Sequence, residues 1–238
     1  MSSGSQRRRF RRYTVRLPFL HQSDSSTANG IRIGWTRDLS EGGACVEFDQ
    51  PIPAPSHLQV RLQTDRGIID AKAEVVWAGK SLTPDSGVPH GLVFVDMAPH
   101  QLQDLQYAFL SWGLTRGTGV RLPCRIAVTC QPKGETGSPL EGHTRDVSRA
   151  GTLLRLPRVV SPGTVLELTL HTQPAPVTTD GVVIWVAPPE GRTPGGLIRH
   201  GVRFRPLEWS SAVSLALDLV GRLGKTAWAT SGDGVSYR

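Results

Sequence analysis

One eight-residue phrase occurs in this chain in two versions. Thr36-Arg37-Asp38-Leu39-Ser40-Glu41-Gly42-Gly43 returns 108 residues later as Thr144-Arg145-Asp146-Val147-Ser148-Arg149-Ala150-Gly151. The same offset carries Leu58, Val60 and Leu62 onto Leu166, Leu168 and Leu170, and Val75-Val76-Trp77 onto Val183-Ile184-Trp185. A repeat that holds its register over this length is a folding unit, so the 238 residues divide into two tandem domains. The boundaries read as an Arg-rich arm at 1–12, a first domain at 13–114, a second at 115–224 and a tail at 225–238.

Within each copy the periodicity is that of short strands. Tyr13 to Leu20 forms a candidate first strand, Gln22 to Gly30 a polar loop, and Ile31 to Trp35 an alternating strand that runs into the Asp-x-Ser turn. Ala44 to Phe48 follows, then Leu58, Val60 and Leu62 at period two with Gln59 and Arg61 facing away, then Ile68 to Trp77 and Gly91 to Val95. Leu102, Leu105, Phe109 and Trp112 then make the stripe of one helix, and Trp209, Val213, Ala216, Val220 and Leu223 that of another. Twenty-six Gly and 18 Pro supply turns and leave little room for long helices. The expected fold is all-β with one terminal helix per domain: two tandem six-stranded barrels, since closure spares so few strands a bare edge.

Charge is uneven. Arg7, Arg8, Arg9, Arg11, Arg12 and Arg16 stand in the first 16 residues without an acid, so most of the net +7 belongs to that arm. A nucleic-acid coat spreads its basic footprint over a face; a local arm suits a small anion, which argues against nucleic acid as partner. The arm does not read as a twin-arginine export signal, because Arg16 and Pro18 interrupt any apolar core behind Arg8-Arg9-Phe10. No apolar run approaches the roughly 20 residues of a membrane span. Three cysteines form neither a disulfide framework nor a metal spacing, which points to the cytoplasm, and Cys45 reads as a small core residue. The seven histidines lack metal spacing; His90 and His200 recur with the repeat and read as histidines bonded to backbone. Trp77 and Trp185 read as core or rim packing. Neither a phosphate-binding glycine loop nor a nucleophile motif occurs, so no catalytic site and no cofactor are expected.

Two motifs remain. Arg8 and Arg12 form R-x-x-x-R before the first strand, and guanidinium forks suit phosphates and the O6/N7 edge of guanine. Asp38, Ser40 and Gly43 form D-x-S-x-x-G, which by itself is no more than an Asx-type turn. In this order and spacing the pair resembles the PilZ domain family, bacterial receptors for cyclic di-GMP, over nearly all of residues 6–112. The resemblance implies a nucleotide lying on the outside of a six-stranded barrel. Arg8 and Arg12 would hold phosphates and guanine edges, Asp38 would accept from guanine N–H, Ser40 would hydrogen-bond nearby and Gly43 would let the loop close. Arg7, Arg9, Arg11 and Gly42 would assist. The implied function is a non-enzymatic cyclic di-GMP receptor that signals by conformational change or by docking a protein effector. The alternative is a PilZ-fold scaffold that binds no nucleotide.

The second copy keeps Asp146, Ser148 and Gly151. Matching Arg121-Leu122-Pro123 to Arg16-Leu17-Pro18 at offset 105 puts Gly117 at the place of Arg12 and Gly113 at that of Arg8, with Arg116 beside Gly117. On that alignment the second site is degenerate, and the domain serves as scaffold, docking surface or homodimer interface. The alternative is that Arg116, Arg121 and Arg125, the last two spaced as R-x-x-x-R, build a second site.

Overall fold

The computed structural model describes residues 10–23, 30–81, 83, 85–114, 120–188 and 196–223. Six strands close the first barrel in the order β1-β2-β3-β6-β5-β4: β1 (Pro18–Ser23), β2 (Arg32–Ser40), β3 (Gly43–Phe48), β4 (Ser56–Gln63), β5 (Ile68–Ala78) and β6 (Val88–Asp96). Leu58, Val60 and Leu62 point into the core, as their alternation requires. Helix α1 (Pro99–Leu114) buries Leu105, Ala108 and Phe109.

After β7 (Leu122–Pro123) the second copy repeats the order as β8 (Ala127–Pro132), β9 (Leu140–Ser148), β10 (Gly151–Leu156), β11 (Val165–Leu170), β12 (Val177–Val186) and β13 (Ile198–Phe204). Pairings of β11 with β8 and of β10 with β9 close this barrel too. Helix α2 (Trp209–Leu223) ends it.

Three expectations change. The first strand begins at Pro18, not Tyr13, because Thr36 breaks the ladder ahead of it. Its hydroxyl accepts from Leu17 N at 2.8 Å and donates to Val15 O at 2.5 Å, leaving Tyr13 a single bridge to Leu39. The Asp-x-Ser segment lies inside β2, so the turn shrinks to Glu41 and Gly42. Gln22 and Ser23 belong to β1, and 24–29 lies outside the described residues, as does the expected tail.

Helix α2 has two jobs. The stripe read from the sequence is only partly buried apart from Ala216, while Ala212, Leu215, Ala216 and Leu219 are fully enclosed. The cause is a second partner: α2 packs on β1 and β2 of the first barrel as well as on β12 of its own. Trp35, with no exposed surface, donates its indole N–H to Ala212 O at 2.8 Å. Trp209 covers Gly87 and donates its backbone N–H to Asp85 O at 3.0 Å.

His90 and His200 behave as expected. Each takes a backbone N–H on Nε2 (Ile52 at 2.9 Å, Val160 at 3.1 Å), while Nδ1 faces its own strand's carbonyl. His21 is different. It is 2% exposed, packs on Phe48 with ring centroids 4.2 Å apart, and its Nε2 has no hydrogen-bond partner among the described residues. Burial, and then the charge of Arg32 and of His90, push its pKa from 6.5 down to about 3. Between those values the unfolded chain binds the proton and the folded one does not, so stability present above pH 6.5 is lost as pH falls toward 3. The slope from this one group is at most about 1.4 kcal/mol per pH unit. Urea midpoints measured from pH 7 to pH 4 are expected to fall, and His21→Phe to flatten the decline; an unchanged slope in that variant would exclude His21 as the source.

Candidate functional site

The Asp-x-Ser segment leaves β2 with its side chains sorted by the pleat. Leu39 enters the core, and Asp38 faces outward, where its Oδ1 receives Arg12 Nη1 at 3.0 Å and Cys45 N at 3.3 Å. Asp38 therefore bridges strands and arm instead of closing an Asx-turn. Ser40 Oγ donates to Gly43 O at 3.0 Å. A methyl group on Gly43 would stand 2.0 Å from Leu92 O, so β3 can meet β6 here only with glycine.

The arm returns onto this turn. Phe10 lies against Gly42, where an added Cβ would come within 2.6 Å of its ring. Arg11 sits over Tyr13 at 5.1 Å, and Tyr13 stacks on Phe109 of α1 with centroids 4.5 Å apart. Thus Arg12, Asp38, Ser40, Gly42 and Gly43 come together with Arg11 close by; Arg7, Arg8 and Arg9 lie outside the described residues. Arg16 and Arg37 turn instead to Glu47, each at 3.6 Å.

A row of outward positions extends from Asp38 across the barrel. Asp38 pairs with Cys45, Cys45 with Gly91, and Gly91 with Trp77. Cys45 is thus outside the core: Ala44 and Val46 on either side are the buried ones, and alternation turns the thiol outward. Trp77, 43% exposed, lies flat over Gly91, where a methyl group would stand 1.9 Å from its indole nitrogen. Of the two expected roles of Trp77 and Trp185, core or rim packing, the structure selects the rim: each is 43% exposed and covers a glycine, Gly91 and Gly201. Phe10, Cys45 and the Trp77–Gly91 pair are the site's neighbours that motif reading missed. The bulge in β5 between Val75 and Trp77, which aims both Val76 and Trp77 outward, leaves no mark in the sequence.

The second copy repeats this construction more fully than its letters suggest. Thr144 performs the same clasp, accepting from Ile126 N at 2.8 Å and donating to Cys124 O at 2.6 Å. Ile126 therefore corresponds to Leu17, Cys124 to Val15, and Leu122, paired with Val147, to Tyr13, paired with Leu39. Arg121 is accordingly the counterpart of Arg12, not of Arg16, and its Nη1 faces Asp146 Oδ1 at 3.5 Å. The offset-105 alignment is overturned: the two Arg-Leu-Pro triplets sit four residues apart in the fold. Gly117 falls at the place of Arg8, and Arg116 at that of Arg7, both outside the described residues. Ser148 Oγ donates to Gly151 O at 3.1 Å, and Asp146, Leu153, Gly201 and Trp185 form the matching row.

A family model for the PilZ domain matches residues 6–110 and again residues 116–215. The chain belongs to the PilZ domain family. PilZ domains as a family are non-catalytic receptor modules for cyclic di-GMP. Among solved structures the chain is similar to the PilZ domain of YcgR from Escherichia coli with c-di-GMP (19% identity, 44% of this chain and 91% of that one, TM-score 0.37). It is also similar to the Bacillus subtilis inhibitor of motility MotI/DgrA (12% identity, 90% and 100% covered, TM-score 0.37). A third is the K. pneumonia MrkH–c-di-GMP complex (15% identity, 88% and 89% covered, TM-score 0.37). No curated protein matches. Among the described residues no group of three or more His, Cys, Asp or Glu could hold a metal ion, and no helix is long and apolar enough to cross a membrane.

Proposed function

We propose that this PilZ protein is a cytoplasmic, non-enzymatic cyclic di-GMP receptor whose first domain, with the arm, holds the nucleotide. The observation that carries the reading is the Arg12–Asp38 pair on the barrel's outer wall beside the Ser40–Gly43 closure. Both partners are partly exposed, at 38% and 28% of the side chain. Such a pair contributes under about 1 kcal/mol, so it separates readily for better partners. A phosphate or a guanine O6/N7 edge offers Arg12 a bidentate acceptor, and a guanine N1–H/N2–H edge gives Asp38 two donors. Arg8 is assigned the matching role, with Arg7, Arg9 and Arg11 assisting and the backbone of Gly42 and Gly43 leaving room. The Cys45–Gly91–Trp77 row supplies a flat floor for a purine. Signalling follows from closure of the arm over the ligand or from docking of a protein effector on the covered surface.

A weaker second site is favoured by the Arg121–Asp146 pair. With Gly117 at the place of Arg8, half of the paired clamp is missing, and degeneracy here means reduced affinity. Calorimetry of the whole chain with cyclic di-GMP tests both statements. Asp38→Ala is expected to remove the tight phase and Asp146→Ala only a weak one. No heat from folded protein would favour the scaffold reading; equal losses in the two variants would make the copies equivalent.

A further inference from the structure

A cleft of about 260 Å³ lies where the two domains meet, and its lining carries four guanidinium groups and no carboxylate. Arg16 comes from the first domain; Arg149, Arg203 and Arg205 come from the second, with Phe204 and Leu207 forming an apolar wall. We propose that this interdomain cleft is a separate binding site for a small phosphate ester of nucleotide size.

Three observations support the assignment. The first is charge balance. The one buried carboxylate behind the cleft, Glu47, is shared by Arg16, Arg37 and Arg149. Arg149 is also held between the rings of Trp35 and Trp209, at 5.8 and 5.5 Å. Arg205 reaches only Asp180, at 3.5 Å, and Arg203 has no ion-pair partner among the described residues. Burial, and then the neighbouring charge of Arg149, lower the pKa of Arg16, as expected of a cation short of anions.

The second is the difference between the copies. Gly151 pairs with Arg203 where Gly43 pairs with Val93, so Arg149, Arg203 and Arg205 replace Glu41, Val93 and Val95. Positive charge has been placed in the second copy only, at the positions that meet Arg16. The third is size and chemistry. The cleft is too small for a folded partner, and several guanidinium forks beside an apolar wall match a phosphate carrying a ring. Neither Arg121 nor Asp146 lines it.

The test is titration of the whole chain with GMP and with inorganic pyrophosphate at two salt concentrations. Arg203→Glu/Arg205→Glu alters exposed residues, and its thermal unfolding is measured alongside. Binding of either probe that weakens with salt, drops at least tenfold in that variant and survives in Arg12→Ala/Arg121→Ala supports the site. Absence of binding by both probes, or binding indifferent to the charge reversal, overturns it. Cyclic di-GMP titrated into the same variants reports separately on the Arg12–Asp38 reading, so the two proposals can fail independently.

Discussion

Replacing Arg8 and Arg12 together by alanine is expected to abolish measurable cyclic di-GMP binding while the protein stays folded. A hydrogen bond to a charged group contributes about 1.5–3 kcal/mol, so loss of both guanidinium groups amounts to a 10²- to 10⁴-fold fall in affinity. Among the described residues the folded state loses the partly exposed contact of Arg12 with Asp38. Arg12→Lys separates charge from geometry: an ammonium keeps the attraction and forfeits the fork, so its affinity should lie between wild type and alanine. Calorimetry checks the series, and a double variant that binds as tightly as wild type would exclude the arm from the site.

The second large effect concerns the join between domains. Trp35→Ala is expected to destabilise the protein by about 3–5 kcal/mol, the range for truncating a buried aromatic side chain. Trp35 is fully enclosed, bonded to Ala212 O, and forms one side of the slot that holds Arg149. Since α2 lies against both barrels, the loss should also uncouple them, splitting one urea transition into two. Trp35→Phe retains most of the packing and loses the indole N–H, for a cost nearer 1 kcal/mol. An alanine variant with unchanged midpoint and a single transition would mean that the interface contributes nothing to stability.

Much of this architecture was legible in the chain itself. Leu58-x-Val60-x-Leu62 declares a half-buried strand, and the recurrence of Thr-Arg-Asp-x-Ser declares two copies of one barrel. Identical letters misled only where the fold is keyed by a hydrogen bond. Arg-Leu-Pro occurs in both copies, yet the register before the first strand is fixed by the hydroxyls of Thr36 and Thr144, which reach the segment ahead of β1 and of β8. Counting back from those contacts, not from the triplets, finds Arg121. Cys45 was obscured because an apolar run conceals its own alternation. The inner stripe of α2 was obscured because the helix packs on both barrels and its exposed side carries Leu217 beside Ser210, Gly221 and Arg222.

That placement of α2 bears on why the second copy persists. The first barrel presents β1, β2 and Trp35 to a helix that belongs to the other half of the chain. A gene truncated after α1 would encode a first barrel whose face against α2 lies open to water, prone to self-association. The second copy can therefore differ on its surface, with Arg149 where the first has Glu41 and Arg203 where it has Val93, while α2 still covers the first barrel.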